Sequence, residues 1–457
     1  MARTSDGKRR DSAATVLDRR GFLGLAGGAI AGGASVGGLL SACRDPSAPL
    51  APPKPAPSSA NPAGSAAPAA PPAPVPALHA GAPAVHGTAK TASDVIVRGT
   101  LLGTDAIVGK DGATVHLISR IDLDDEVLRS RPFPIPFYAH GIAIDPRDAG
   151  RAVAFEKRGA GCCLVDLRTG AVQATIQPRP GRQFYGHGTF NRDGAFLFCT
   201  ETFVEDGSNR GVIAVRDSNT LRWISDLPSF GEAPHDVLLT PDRGQLVVTN
   251  GGGTEASGQV PNLAWIDLRS HANVRKLPFS TPRINAGHVA LSADGNAAVV
   301  VSAARDGLTM GSAGVHGGVS FWHRDGADDG TVLRAASGPV VEAMAGETLS
   351  VAIHDASGTV AATNPKANQL SLWDLATGAL RTSTTQFLEP RGVAFALDGS
   401  EMLVSCGAQS ELVVCKPGTL TPVAGRHVAE SFSGGAHLRV IALDARKGSG
   451  RRAIEGS

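Results

Sequence analysis

Four histidines occupy matching places in this sequence. His140, His187, His235 and His288 each begin a short apolar run that ends in a turn rich in Asp and Gly. The four runs read HGIAIDPRDAG, HGTFNRDG, HDVLLTPDRG and HVALSADG. Neutral imidazole is a good ligand for copper, zinc, iron and nickel. A fold that gathers these four side chains would therefore create a metal site.

The apolar runs belong to a repeat. The phrase returns without histidine at Ser350 and Arg391, and further strand-like runs follow each copy. One copy takes roughly 40–50 residues and holds four short strands, which is typical of a β-propeller blade. Residues 95–138 contain a degenerate seventh copy, and the tail HLRVIALD is expected to close the ring against it. We predict an all-β, seven-bladed β-propeller of four-stranded antiparallel blades over residues 94–446, with eight blades, or six and an added strand, as alternatives.

The propeller would decide where the histidines meet. The first strand of each blade lines the central channel, so its leading residues converge at one mouth of the axis. When the copies are aligned on their turns, however, His140 and His235 fall one position before His187 and His288. A slip of one residue turns a side chain to the other face of a strand. A shared metal or ligand site and a purely structural role, in hydrogen bonds to loops or channel water, therefore both remain open.

Few other residues are candidates for chemistry. Asp236 and Arg391 lie at the level of the histidines and are expected to support a ligand there. An enzyme would need a carboxylate base beside a metal with an open position, and Asp236 and Glu201 are the candidates. Glu201 and Asn250 end second strands, and we expect them on the side opposite the histidines. No catalytic residue can be assigned.

The N-terminal residues predict an export signal, with a retained membrane helix as the alternative for the apolar run. Arg19 and Arg20 precede an apolar run rich in Gly and Ala, which ends in Leu-Ser-Ala-Cys. This order is typical of a twin-arginine signal with a lipoprotein cleavage box. Residues 1–43 are thus a predicted signal peptide, and Cys43 is the predicted lipidation site. Arg44 rather than Asp follows that cysteine, which favours a periplasmic protein anchored in the outer membrane over the inner one.

Composition describes the flanking segments and gives no argument for nucleic acid as a partner. Residues 44–93 are rich in Pro and Ala and predict a disordered tether, and residues 447–457 predict a disordered tail. Lys and Arg number 43 against 42 for Asp and Glu, so no charge excess points to nucleic acid. The expected contact is with the membrane, through the lipid.

Five cysteines remain beyond the lipidated one. Cys162 and Cys163 are adjacent in one predicted strand and should point to opposite faces. Cys406 and Cys415 flank a predicted hairpin, where they could face each other. The sequence does not decide whether any pair forms a disulfide.

The central third of the chain resembles a known family. The stretches PGRQFYGHGTFNRDG, NRGVIAVRDS and GEAPHDVLLTPDRGQLVVTNGG are similar to an uncharacterised family of twin-arginine-exported seven-bladed propellers, a domain of unknown function. The resemblance covers roughly residues 95–445. It implies the fold and the compartment, and a genomic association with imelysin-like iron-uptake lipoproteins, but no established activity.

The sequence favours a non-catalytic protein. We expect a lipid-anchored propeller of the cell envelope that binds a metal ion or small ligand at the channel mouth, with iron or copper as the ion. A metal-dependent or lactonase-like hydrolase, an oxidoreductase, and a protein-interaction platform without a ligand are the alternatives.

Overall fold

The computed structural model describes residues 97–205, 207, 210–309, 314–326 and 330–443. Within these ranges the protein is all-β, with one four-residue α-helix, α1 (Pro339–Glu342), and four 3₁₀ turns. No helix in the described ranges is long and apolar enough to cross a membrane. The predicted signal peptide, tether and tail lie outside the described residues, and so do Arg19, Arg20 and Cys43.

The 28 strands fall into groups of four, which we call units 1 to 7. Within each unit, strands that are neighbours in the sheet pair antiparallel. Unit 1 contains β1 (Thr100–Val108), β2 (Thr114–Asp122), β3 (Ser130–Ile135) and the last strand of the chain, β28 (Arg439–Ile441). Unit 2 contains β4 (Ala139–Asp145), β5 (Asp148–Gly159), β6 (Cys162–Asp166) and β7 (Ala171–Thr175). Unit 3 contains β8 (Arg182–Phe190), β9 (Phe196–Phe203), β10 (Arg210–Asp217) and β11 (Trp223–Glu232).

The remaining units follow in chain order. Unit 4 contains β12 (Pro234–Leu239), β13 (Gln245–Asn250), β14 (Asn262–Asp267) and β15 (Asn273–Pro278). Unit 5 contains β16 (Val289–Leu291), β17 (Ala297–Ser302), β18 (Gly318–His323) and β19 (Arg334–Ala335). Unit 6 contains β20 (Ser350–His354), β21 (Thr359–Asn364), β22 (Gln369–Asp374) and β23 (Leu380–Thr384). Unit 7 contains β24 (Pro390–Phe395), β25 (Met402–Cys406), β26 (Glu411–Cys415) and β27 (Pro422–Val428).

Two features of the pairing go beyond a simple repeat. Strand β5 extends past its own unit and pairs with β8, with Lys157 opposite Tyr185, so that units 2 and 3 form one eight-stranded sheet. Strand β28 pairs with β1, with Thr100 opposite Ile441. The prediction that the C-terminal tail completes the first sheet is therefore confirmed, and the two ends of the described chain are joined by backbone hydrogen bonds.

The second strand of unit 5 is almost wholly apolar because both of its faces are buried. In β17, AAVVVS, all six residues are buried. Val300 packs in a cluster with unit 4, whereas its neighbour Val299 packs in a cluster with unit 6. A strand covered on both sides has no solvent face to make polar. The fourth strands, such as β7 and β23, are largely exposed and correspondingly polar.

Apolar clusters connect each unit to the next. Cluster after cluster along the chain combines residues of two consecutive units, from units 1 and 2 to units 6 and 7. A further cluster combines Leu403 and Val414 of unit 7 with Leu101 and Ile121 of unit 1. Tryptophans of the third strands pack in these clusters, with the ring centroids of Trp265 and Trp322 4.9 Å apart.

The cysteines pack as apolar residues. All five in the described ranges are buried free thiols. Cys162 packs with unit 3 and Cys163 with unit 1, which confirms their opposite orientations. Cys406 and Cys415 do not face each other: Cys406 is opposite Glu411, and Cys415 is opposite Met402 at the far end of the same strand pair. The strand register therefore excludes the cross-hairpin arrangement that their spacing suggested.

Candidate metal centre

The four repeated histidines lie together in space. His140 precedes Gly141 near the start of β4, His187 lies in β8, His235 in β12 and His288 just before β16. Their ring centroids are 4.4 to 5.7 Å apart, although the residues span four units. The structure thus places all four predicted residues in one cluster.

A fifth histidine, His437, completes the cluster. Its Nε2 atom lies 2.8 Å from Nε2 of His288, and their ring centroids are 3.9 Å apart. His437 lies two residues before β28 of unit 1, and His288 lies directly before β16 of unit 5. The tail HLRVIALD begins with this histidine, and the pattern of four blade-start histidines does not include it.

The nitrogens are close enough to share one ion. Ligand atoms of His140, His187, His288 and His437 all lie within 4.8 Å of one another. Nε2 of His140 is 3.1 Å from Nε2 of His288. Two imidazole nitrogens on one tetrahedral ion are separated by about 3.4 Å when each metal–nitrogen bond is about 2.0–2.1 Å long. These four residues form what we call the four-histidine site, and His235 adjoins it, with its Nε2 3.3 Å from that of His140.

Irregular strand starts bring the rings to one face. The pairing register shifts between Ala139 and Gly141, between Phe184 and Gly188, and between Pro234 and Val237. A β-bulge adds a residue to one strand and redirects side chains. The one-residue mismatch between the histidines is absorbed by these shifts, each of which includes one of the three histidines in those strands.

Two glycines make room for the rings. A Cβ atom on Gly141 would lie 2.8 Å from Nδ1 of His187, and one on Gly186 would lie 2.7 Å from Cδ2 of His140. Gly186 also has a φ of +110°, which L-residues with side chains rarely adopt. The His-Gly and Gly-His pairs of the sequence therefore allow the imidazoles of units 2 and 3 to approach each other.

The Nδ1 atoms of two rings contact oxygen atoms outside the cluster. Nδ1 of His288 lies 2.5 Å from the carbonyl oxygen of Leu349, and Nδ1 of His187 lies 3.3 Å from Oδ1 of Asp236. A carbonyl oxygen can only accept, so Nδ1 of His288 carries the proton and its Nε2 keeps the lone pair. Among the described residues, Nε2 of His187 is buried without a hydrogen-bond partner. Such an orphaned nitrogen is a ready ligand for a metal ion.

Burial keeps the five imidazoles neutral. Removal from water lowers the pKa of His187 to about 3, with Lys157 adding to the effect. Burial likewise lowers the pKa of each of the other four rings well below the usual value, and neighbouring positive charge adds to this. Neutral imidazole is the form that binds metals.

The supporting residues predicted from sequence have different roles. Asp236 is buried, and its carboxylate accepts hydrogen bonds from the backbone N–H groups of Val237 and Val289 as well as contacting His187. Burial raises the pKa of Asp236. Arg391 lies in a separate, larger cavity, where it forms an ion pair of 3.0 Å with Glu389. Asp236 thus contacts the cluster directly, whereas Arg391 faces the larger cavity and adds positive charge near His437.

Glu201 and Asn250 are on the histidine side, contrary to the expectation from sequence. Antiparallel pairing sets the end of a second strand beside the start of the first, and Asn250 is opposite Pro234. Glu201 is buried and bonded to Arg216 at 2.9 Å, with Arg182 at 3.6 Å. Its charge is thus neutralised within unit 3, which leaves it unsuited to act as a base at the cluster.

Two cavities adjoin the cluster. The smaller, of about 160 Å³, is lined by all the rings of the four-histidine site, by Asp236 and by Arg439. The larger, of about 920 Å³, is lined by His235, Tyr185 and the loops that follow several second strands. Of the five imidazoles, His235 is the one that lines the larger cavity.

The structure thus defines an all-β protein whose repeated four-stranded units gather five imidazoles at one place. The chain belongs to the family described as "Protein of unknown function (DUF1513)", whose profile matches residues 133–429, more than half of the sequence.

Comparison with solved structures adds a likeness in fold. Hydrazine synthase from Kuenenia stuttgartiensis superposes with a TM-score of 0.54 at 12% sequence identity, over 73% of this chain and 99% of that chain. At this identity the likeness concerns the fold alone. No curated protein matches the sequence.

Proposed function

We propose that this protein is a metal-binding, seven-bladed β-propeller of the cell envelope, in which the four-histidine site holds one transition-metal ion. The observation that carries the proposal is the convergence of ligand atoms from His140, His187, His288 and His437 within 4.8 Å of one another. These residues come from four units and are separated by up to about 300 positions of sequence, so a chance cluster of neighbours along one strand does not account for them.

The propeller part of the proposal rests on topology and packing. Seven four-stranded units, each packed on the next, and a seventh packed on the first, are what a closed ring of blades requires. The pairing of β28 with β1 is the expected closure. In such a ring the leading residues of the innermost strands meet at the axis, which is where we place the four-histidine site.

The four imidazole ligands favour a first-row transition-metal ion over a hard ion. Four neutral imidazoles suit copper, zinc, iron and nickel, and Cu²⁺ binds most tightly among the divalent ions of the first row. Hard ions such as Mg²⁺ and Ca²⁺ prefer oxygen ligands. We therefore propose copper or iron as the ion, in agreement with a role in metal handling in the periplasm.

Binding is favoured over catalysis. The oxygens of Asp236 are engaged with His187 and with two backbone N–H groups, and Glu201 is held by arginines. Neither carboxylate is therefore free to activate a water molecule on the ion. Asp236 instead orients His187, as carboxylates behind metal-bound histidines do.

Metal analysis of the full-length protein tests the proposed site. The protein is purified without chelators, and its copper, iron, zinc and nickel contents are measured by mass spectrometry before and after dialysis against each ion. We expect one ion per chain, with loss of stoichiometric binding in His187→Ala and His437→Ala. His427→Ala is the matched control, because that ring lies at the surface against Glu411. Equal metal contents in all four proteins would refute the proposal.

Fractionation tests the proposed location. Twin-arginine export through Arg19 and Arg20 and lipidation of Cys43 would deliver the propeller to the outer membrane, with residues 44–93 as the spacer. Replacement of both arginines by lysine should retain the protein in the cytoplasm, and Cys43→Ser should release it into the soluble periplasmic fraction. Unchanged membrane association of Cys43→Ser would contradict the anchor.

A further inference from the structure

The larger cavity beside the histidine cluster carries an excess of positive charge. Three carboxylates line it, but so do five basic side chains, those of Lys157, Arg158, Arg305, Lys366 and Arg391. Five positive charges against three negative ones leave an excess of two. A cleft that carries an excess of one sign of charge attracts small ions of the other sign.

The three carboxylates do not cancel the charge in the inner part of this cavity. They pair with basic groups of the same lining, Asp306 with Arg158 at 3.8 Å, Glu347 with Lys157 at 3.9 Å and Glu389 with Arg391 at 3.0 Å. In each pair the carboxylate is the more exposed partner, for example 26% exposed for Glu389 against 10% for Arg391. The more deeply buried charges of the lining are therefore positive.

The two charges in excess belong to Arg305 and Lys366. Neither forms an ion pair with a carboxylate within the part of the chain that the structure describes. The buried guanidinium of Arg305 donates hydrogen bonds to the backbone carbonyls of Gly252, Gly253 and Thr254, which carry no net charge. Lys366 is exposed in the turn that follows β21. An anion in the cavity would balance these charges.

Two asparagines add neutral hydrogen-bond donors to the lining. Oδ1 of Asn285 accepts a hydrogen bond from the backbone N–H of Ala303 at 2.9 Å, and Oδ1 of Asn368 accepts one from that of Glu389 at 2.8 Å. Because both oxygens are engaged, each side chain offers its NH₂ group to a ligand. No described residue accepts a hydrogen bond from either NH₂ group.

Tyr185 supplies a buried donor. Its hydroxyl oxygen accepts hydrogen bonds from Nε and Nη2 of Arg158 at 3.2 and 2.9 Å, so the hydroxyl hydrogen is directed elsewhere. Among the described residues this hydrogen has no acceptor. Burial raises the pKa of Tyr185, which keeps the hydroxyl protonated. An oxygen atom of a ligand would complete its hydrogen bonding.

We propose that the larger cavity binds a small organic molecule that carries two or more anionic oxygen groups, either carboxylate or phosphate. Arginine and the neutral donors match the oxygens of such groups. Apolar side chains of Ala286, Leu308 and Leu349 also line the cavity and suit a short carbon skeleton. Its volume of about 920 Å³ is within the range of small-molecule sites.

This proposal does not depend on the metal site. The larger cavity shares no lining residue with the smaller cavity that borders the four-histidine site. Binding of the anion can therefore be measured on metal-free protein, in which an anion cannot bind through a bound metal ion.

Calorimetric titration with matched probes tests the proposal. Metal is removed from the full-length protein with a chelator, and the chelator is removed by gel filtration, because many chelators are themselves polycarboxylates. The probes are succinate and glycerol phosphate. Butanediol and putrescine have the four-carbon length of succinate but are neutral or positively charged, and glycerol is the neutral control for its phosphate ester. At low salt we expect at least one of the two anions to bind with a Kd of about 1 mM or less, and the three controls to bind at least about tenfold more weakly.

Two substitutions should change the affinity in opposite directions. Lys366→Gln removes a positive charge from the lining and should weaken binding of the anion by about three- to tenfold. Glu347→Gln removes a negative charge and should strengthen binding by a similar factor. Lys276→Gln, on the exposed strand β15 and outside the lining, is the matched control. Circular dichroism checks folding, and a general loss of structure would not produce a gain in affinity.

Three results would overturn the proposal. The first is that neither succinate nor glycerol phosphate binds at about 10 mM. The second is equal affinity for an anion and for its neutral or cationic control. The third is an unchanged affinity in both Lys366→Gln and Glu347→Gln, which would place the anion outside this cavity. If both anions bind, the tighter one identifies carboxylate or phosphate as the preferred group.

Discussion

The carboxylate of Asp236 lies 3.3 Å from Nδ1 of His187, on the side of the ring that faces away from the cluster. Because His235 directly precedes Asp236 in β12, one strand supplies both a ring of the cluster and a carboxylate that contacts another ring. Backbone N–H groups of Val237 and Val289 hold the carboxylate itself. The carboxylate that contacts His187 is therefore positioned by units 4 and 5, whereas His187 itself belongs to unit 3.

Asp236→Asn should weaken metal binding without removing any ligand. The amide keeps the shape of the side chain but not the charge that orients and polarises His187, and loss of such support typically costs 10- to 100-fold in affinity. Competition titrations with a chelator of known affinity measure the change. Asp294→Asn, at an exposed turn, is the control. Equal affinities for the two variants would show that Asp236 does not act through His187.

Most of this site could be predicted from the sequence because the repeat assigns equivalent positions to remote residues. His140, His187, His235 and His288 are recognisable from their place before each first strand. The same rule applied to the tail would have found His437. The face on which each ring lies was not predictable, because the bulges depend on how the first strand pairs with the second.

The surroundings of Glu201 and Arg391 were not predictable from the sequence, for a different reason. The sequence around Glu201 does not show whether its carboxylate is free or paired. Its partners, Arg182 and Arg216, lie on the preceding and following strands. Arg391 occupies the position in unit 7 that corresponds to the histidines, yet its longer side chain reaches Glu389 at the larger cavity. The position of a residue in the repeat determines where its backbone lies. The length and charge of the side chain determine which groups it contacts.

Glu201→Gln should destabilise the fold and leave the metal site intact. Removal of one partner from a buried ion pair leaves an uncompensated charge, here on Arg216, at a cost of about 3–5 kcal/mol. Urea denaturation of the metal-free protein measures the free energy of unfolding. The control, Glu411→Gln, disrupts a partly exposed contact with His427 and should change it by about 1 kcal/mol or less. Loss of metal stoichiometry in Glu201→Gln, with the fold retained, would instead place Glu201 in the site.

Gly186→Ala should disturb both the backbone and the cluster. Its φ of +110° strains any L-residue with a side chain, and the new Cβ would lie 2.7 Å from the ring of His140. Gly338 provides a close control, since it has a φ of +107° and no atom within 4 Å of a built Cβ. Both alanine variants should lose about 1–2 kcal/mol of stability. We expect a further loss of metal affinity, of about tenfold or more, for Gly186→Ala alone, and equal affinities would contradict the role of this glycine.

The metal-free protein should lose stability as the pH falls below 6.5, and His187 should account for a measurable share. Burial lowers the pKa of His187 from 6.5 to about 3, so between these values the unfolded chain binds a proton that the folded chain does not. The free energy of unfolding therefore rises with pH across this window. Between pH 7.5 and 5.5 the contribution of His187 falls by about 1.4 kcal/mol.

His187→Asn removes this proton-binding difference, so the variant should lose about 1.4 kcal/mol less than the unmodified protein between pH 7.5 and 5.5. Urea denaturation at the two pH values, in the presence of a chelator, measures the quantity. Between pH 7.5 and 8.5 the difference in stability between the two proteins should stay constant, because the ring is neutral in both the folded and the unfolded chain. Equal acid sensitivity of the two proteins would mean that His187 is protonated in the folded state, which is incompatible with a ring buried in the cluster with a free Nε2 lone pair.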